Sequence, residues 1–172
     1  MDPETGVVYV GSSRGVIGVS VVPSGDRSDV GYISGRAKGA QGATTVKGLP
    51  LLKPPYGQIS AIDLKTGTIL WQTPHGDTAD NIKNNPALKG VNIGKTGRAG
   101  AAITLVTKTL VIAGEKGTVT MADGRVGAMM RAYDKATGKE VGAVYMPAQT
   151  TGGPMTYMVN GVQYIVIAVG GN

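Results

Sequence analysis

The strongest constraint on this chain is that it repeats itself. The segment SAIDLKTGTILW (60–71) lies over RAYDKATGKEVG (131–142) so that Ala61 meets Ala132, Asp63 meets Asp134, Thr66 meets Thr137 and Gly67 meets Gly138, each 71 positions apart. Self-similarity at a fixed offset marks an architecture built from stacked supersecondary units, such as a propeller or another array. Each copy reads as a strand, a turn and a return strand. Asp can bond the backbone of its own turn and Gly takes the positive φ, so each copy is a β-hairpin.

The rest of the chain continues the pattern. Strand-like runs bounded by Gly, Pro, Asn and Asp are expected at 6–10, 16–22, 58–63, 68–73, 101–106, 109–113, 128–134, 140–146, 155–159 and 162–169. Asn160-Gly161 between two apolar runs is a hairpin signal, because both residues tolerate positive φ. The 28 glycines among 172 residues argue against long helices, and with no Phe and one Trp the core must be built from β-branched aliphatic side chains. The expected fold is all-β, in four-stranded antiparallel units. Two stretches, 23–56 and 74–100, show little periodicity and read as long inter-strand loops, which in compact domains cover a site or pack on a neighbour.

Several function classes are disfavoured. The net charge of +6 comes from Lys and Arg residues scattered singly, with no basic helix or interleaved aromatics, so no nucleic-acid partner is expected. No window holds the roughly 18 apolar residues of a membrane helix, so no transmembrane segment is expected, and MDPETG carries no signal-peptide core. Without cysteine, disulfides and thiolate metal sites are excluded. Gly11-Ser12-Ser13-Arg14-Gly15 fits the nucleophile-elbow pattern G-x-S-x-G after an apolar run, yet a strand-like segment follows where an elbow needs a helix. His75 is the only histidine, so an esterase-like serine hydrolase would have to pair Ser13 with His75. His75, Asp77 and Asp80 are a weak ligand set for a metal, and no metal site is expected. Met121, Met129 and Met130 read as gap-filling core residues.

The pattern A-x-D-x-x-T-G-x-x-x-W, complete at Ala61, Asp63, Thr66, Gly67 and Trp71, resembles the tryptophan-docking motif of eight-bladed quinoprotein dehydrogenases. The second copy keeps Ala132, Asp134 and Gly138 but has Gly142 where Trp would stand. GLPLLKPPYGQISAIDLKTG (48–67), GRAGAAITLVTKTLVIAG (97–114) and GGPMTYMVNGVQYIVIAVGGN (152–172) are similar, in that order, to the closing blades of pyrroloquinoline quinone (PQQ)-dependent glucose and alcohol dehydrogenases.

The resemblance implies a partial β-propeller of two to three four-stranded blades, divided as a blade remnant over 1–55 and blades over 56–114 and 115–172. It implies a structural docking role for Ala61, Asp63, Gly67 and Trp71 and for Ala132, Asp134 and Gly138, with the Trp71 indole largely buried against the next unit. In such oxidoreductases PQQ lies on the propeller axis with a calcium ion, and much of that apparatus comes from other blades. No segment here takes the catalytic Asp or the calcium ligands, so catalytic and cofactor-binding residues stay unassigned and neither cofactor is expected to be retained. The parent family is periplasmic. Three readings follow: a fragment of a PQQ-dependent dehydrogenase that is inactive alone, the Ser13–His75 hydrolase, and a scaffold without chemistry. Exposed blade faces imply a homo-oligomer.

Overall fold

A computed structural model describes residues 1–36, 45–100 and 102–170. The expected strand start at Ala101, residues 37–44 of the first long loop, and Gly171 lie outside the described residues. The chain divides into two compact units, one formed by Met1–Arg14 with Pro54–Asn172 and one by Gly15–Lys53.

The larger unit carries the repeat. Strand β1 (Val7–Ser13) is followed in the chain by the smaller unit, whose strands are β2 (Ser20–Pro23), β3 (Tyr32–Gly35), β4 (Thr45–Val46) and β5 (Leu49–Pro50). The large unit resumes with β6 (Gly57–Asp63) and β7 (Thr68–Pro74), then β8 (Thr104–Val106), β9 (Leu110–Gly114), β10 (Val119–Thr120), β11 (Val126–Asp134), β12 (Glu140–Met146), β13 (Met155–Val159) and β14 (Val162–Val166). β1, β6 and β7 form a three-stranded antiparallel sheet, with Tyr9 opposite Ala61 and Ala61 opposite Trp71. β8, β9, β11 and β12 form a complete four-stranded antiparallel meander, to which β10 adds a short pair on β11. β13 and β14 form a separate hairpin. These are blade-like sheets, and the chain is an all-β partial propeller.

Both copies of the repeat close as expected. Asp63 Oδ1 accepts from Lys65 N at 2.7 Å and Asp134 Oδ1 accepts from Thr137 N at 2.9 Å. Gly67 and Gly138 donate back to the carbonyls of Asp63 and Asp134 with φ of 69° and 72°.

The core lies between the two larger sheets, where alternate residues of each strand point inward. Val7 and Tyr9 of β1 and Ile59 and Ala61 of β6 meet Val111 and Ala113 of β9 and Tyr133 of β11. Trp71 packs against this cluster with its ring centroid 5.7 Å from that of Tyr9. Its indole N–H donates to the Lys135 carbonyl at 3.1 Å, which also accepts from the Tyr9 hydroxyl at 3.3 Å. The second hairpin turn thus rests on the first hairpin's return strand. The indole is only partly exposed, packed on the core cluster on one side and against Gly138 of the second turn. Beside it, Lys135 Nζ reaches Asp2 Oδ2 at 2.8 Å, and that bond holds the Asp2 carboxyl down to about 2.

The loop expected over 74–100 contains local structure: a single helical turn α1 (Asp80–Lys83), and a 3-10 turn at Pro86–Leu88 whose Asn85 side chain accepts from Ala87 N. In the smaller unit the strand expected over 16–22 shrinks to β2, which pairs with β3 from Ser20 opposite Gly35 to Pro23 opposite Tyr32.

Candidate functional site

The end of the large unit where β7 leaves and β8 and β10 begin gathers buried polar side chains. Backbone crossings set it up. Gly57 donates no side chain, and it could not: a Cβ there would lie 1.8 Å from the Arg98 carbonyl oxygen. That close approach lets Tyr56 N bond Thr96 O at 2.8 Å, His75 N bond Gly57 O at 3.0 Å and Arg98 N bond His75 O at 2.8 Å. His75 and Arg98 are therefore pinned side by side over the start of β6.

His75 is 2% exposed. Its Nε2 faces the Gly114 carbonyl at 3.3 Å and its Nδ1 faces the Tyr133 hydroxyl at 2.9 Å. A carbonyl can only accept, so Nε2 carries the proton and Nδ1 accepts from the tyrosine. This is the neutral imidazole, in keeping with the burial that pulls His75 below its usual range. Burial also pushes the Tyr133 phenol up, which keeps it a donor.

Next to this pair stands Arg131 of β11. Its Nε lies 2.6 Å from Glu115 Oε1, Nη2 2.6 Å from Asp77 Oδ2 and Nη1 2.7 Å from Glu140 Oε1. Glu115 is fully buried, and its second oxygen accepts from Met129 N at 3.1 Å. Burial works against the Arg131 charge, yet Glu115, Asp77 and Glu140 together hold the guanidinium above its usual range. Glu140 is raised by burial but lowered more by Lys95, 2.7 Å away, and by Arg131. Taking charges out of water is costly unless they are paired, and here each nitrogen of the Arg131 guanidinium meets a carboxylate oxygen.

Asp77 and Lys95 also line a cleft of about 480 Å³, whose other walls include Asp80, Lys83, Val119 and Met121. Asp80 Oδ2 accepts from Thr120 N at 3.0 Å and from Thr120 Oγ1 at 2.9 Å, joining α1 to β10, and the backbone bond holds its carboxyl below the usual range. Behind this wall, Arg98 is 7% exposed and donates from Nη1 to Thr118 O, while its Nε and Nη2 find no partner among the described residues.

The residues singled out from sequence are placed as follows. Ser13 is exposed at the end of β1, where its Oγ accepts from Gly100 N at 3.1 Å. His75 spends both ring nitrogens on Tyr133 and Gly114, so the structure does not bring Ser13 and His75 together. Asp63 and Asp134 bond their own turns. Among the described residues no three His, Asp or Glu side chains are arranged to hold a metal. The set does not fit a calcium ion either, because Asp77, Glu115 and Glu140 are each bound to Arg131. Sequence reasoning missed Glu115, Arg131, Tyr133, Glu140 and Arg98. The one available signal was a charged residue inside an apolar strand, as Arg131 is in β11.

Comparison with known proteins agrees with the geometry. Residues 1–165 match the family described as PQQ glucose/ethanol/alcohol dehydrogenase, β-propeller domain. The chain is 32% identical to a Xanthomonas campestris pv. juglandis protein named probable quinate dehydrogenase (quinone), over 99% of this chain and 22% of that protein. It is 32% identical to quinoprotein glucose dehydrogenase A of Acinetobacter calcoaceticus, over 73% of this chain and 14% of that protein. It is 35% identical to the quinoprotein glucose dehydrogenase of Escherichia coli, again over 73% and 14%. The chain thus spans about a fifth or less of the length of these curated relatives. With its blade-like sheets and a match along nearly its whole length, the chain belongs to the PQQ-dependent glucose/ethanol/alcohol dehydrogenase β-propeller family.

Proposed function

We propose that this chain serves as adjoining blades of a PQQ-dependent dehydrogenase that oxidises a sugar or an alcohol, and that alone it does not turn over. The observation that carries this reading is the pairing of one complete four-stranded meander with a three-stranded sheet through the repeat turn. That is how blades stack, and a chain spanning so small a share of its relatives has too few sheets to surround an axial quinone. PQQ, when bound in the complete propeller, would supply the two-electron oxidant for the substrate. This chain's own residues would orient the surrounding wall: the Arg131 network fixes the 77–95 loop to β11 and β12, and His75, just before that loop, is held to β11 through Tyr133 and to β9 through Gly114.

The Asp63–Trp71 and Asp134–Gly138 segments act as the docking joint between blades, on the support of the indole bond to Lys135. The compartment inferred from the family is periplasmic. No described helix is long and apolar enough to cross a membrane. Association of chains through uncovered blade faces follows from the exposure of β13 and β14, and light scattering of a compact 17.5 kDa monomer would refute it.

A chimera tests the central reading. This chain replaces the matching segment of the Acinetobacter calcoaceticus glucose dehydrogenase, and dye reduction with glucose, PQQ and calcium is measured beside the isolated chain. The expected result is turnover by the chimera and none by the chain alone. A chimera that is folded by circular dichroism yet binds no PQQ refutes the reading.

A further inference from the structure

His75, Gly76 and Asp77 strap the base of the 77–95 loop to the sheet. The two ends of that loop are tied to each other, since Thr78 Oγ1 donates to Gly94 O at 2.9 Å and Lys95 Nζ lies 3.7 Å from Asp77 Oδ1. Three backbone bonds run through the same crossing, from Tyr56 N to Thr96 O, His75 N to Gly57 O and Arg98 N to His75 O. Gly76 makes the turn between the two side-chain anchors with φ of 90°, and a Cβ there would lie 3.2 Å from Glu115 Oε1. What loosens His75 therefore loosens the base of the loop.

The surroundings suit only the neutral ring. Nδ1 accepts the Tyr133 hydroxyl hydrogen at 2.9 Å, and Nε2 donates to Gly114 O. A proton added at Nδ1 would point at that hydroxyl hydrogen, which would have to turn away. The phenol is fully buried, with His75 as its one side-chain partner among the described residues. A buried donor left without an acceptor costs its full desolvation. The charged neighbours do not offset this. Arg131 of β11 is a like charge, and Glu115 after β9, Glu140 of β12 and Asp77 of the strap itself are each bound to Arg131. Arg98, whose backbone bonds the His75 carbonyl, is a further cation, and β6 presents only the Gly57 carbonyl.

From this geometry we infer that His75 is an acid-sensitive latch, whose protonation breaks the bond to Tyr133 and frees the base of the 77–95 loop, opening the cleft that Asp77 and Lys95 line. The repeat turns stay closed, because the bonds lost belong to the crossing alone. Burial makes the closed form take up the proton at a lower pH than the open form, so opening grows as pH falls. Histidine is the side chain that changes charge between about pH 5 and about pH 8, and the carboxylates around Arg131 keep theirs over that range. The latch rests on the surroundings of His75 and not on the dehydrogenase reading, so either can fail without the other.

The test uses the full chain, in which His75 is the only histidine, so its ring signals in ¹⁵N NMR need no assignment. At neutral pH the ring should carry its proton on Nε2, and a proton on Nδ1 would overturn the inference. Hydrogen exchange of single amides is then compared at about pH 7.5 and about pH 5.5, corrected for the intrinsic pH dependence of exchange. With proton uptake at about 6.5 in the open form, the Tyr56, His75 and Arg98 amides should open about 10-fold more often at the lower pH. The Gly67 and Gly138 amides, bonded in the repeat turns, should not change. His75→Gln keeps one acceptor and one donor without a titrating group, and should abolish the rise. The inference fails if the ring titrates at its ordinary value while the crossing amides stay unchanged. It fails equally if the turn amides rise by the same factor, or if the rise persists in folded His75→Gln. Should that variant not fold, the ring titration and the amide comparison in the wild type decide alone.

Discussion

The two glycines that close the repeated turn provide an internal comparison. Gly67 and Gly138 have nearly the same φ, 69° and 72°, but different surroundings. A Cβ on Gly67 meets nothing within 4 Å, whereas one on Gly138 would lie 2.5 Å from Cε3 and 2.7 Å from Cδ2 of Trp71. Gly67→Ala therefore carries only the left-handed backbone penalty of about 1–2 kcal/mol. Gly138→Ala carries that penalty and a steric one. The indole cannot simply slide away, because its N–H is bonded to Lys135 O and its face packs on Tyr9. Overpacking of this kind adds about 1–3 kcal/mol. The expected cost is thus about 2–5 kcal/mol for Gly138→Ala. Trp71→Leu should remove the difference, giving a coupling of about 1–3 kcal/mol with Gly138→Ala and none with Gly67→Ala. Urea unfolding followed by far-ultraviolet circular dichroism measures the wild type and all five variants with one signal, provided the m-values agree. Equal losses in the two glycine variants, within about 0.5 kcal/mol, would refute the docking geometry.

Two further outcomes follow from the buried network. Glu115→Gln removes the fully buried partner of Arg131 and should cost about 3–5 kcal/mol in the same urea assay, and a loss under about 1 kcal/mol would show that Asp77 and Glu140 suffice. His75 has a folded-state pKa below its ordinary 6.5, so on acidification the unfolded chain takes up its proton first. Stability should be insensitive to this group above about pH 7 and fall as pH drops through 6.5. His75→Gln should flatten that part of the profile, and an unchanged slope in the variant would assign it to other groups.

What could be read from the chain and what could not divide along sequence separation. The hairpins at Asp63–Gly67 and Asp134–Gly138 were legible because their determinants lie within five residues: a carboxylate that bonds its own turn, and a glycine where φ must be positive. The propeller class was legible because the same local code recurs at a fixed offset. The polar site was not. His75 meets Tyr133 across 58 positions and Arg131 meets Asp77 across 54, and no spacing rule connects them. The loop over 74–100 looked featureless because its one helical turn is too short to show a period, although Asn85-Pro86 carries a side-chain cap and a proline suited to a helical first position. The hydrolase pairing failed in space for a related reason. Order along the chain put Ser13 before His75, but β1 ends at the surface while His75 is drawn inward by the crossing over Gly57.

The β13–β14 hairpin has a consequence for handling the protein. From Pro154 onward no residue is charged, and Met155, Met158, Val159, Val162 and Val166 are all exposed. Two strands whose outer edges have no strand partner among the described residues, with high β-propensity and no gatekeeping charge or internal proline, form a template on which further strands can add. Self-assembly of the purified chain should therefore be seeded at this hairpin, with a lag that shortens as protein concentration rises. A lysine at Val162, pointing from an exposed edge, would be the least disruptive way to slow it.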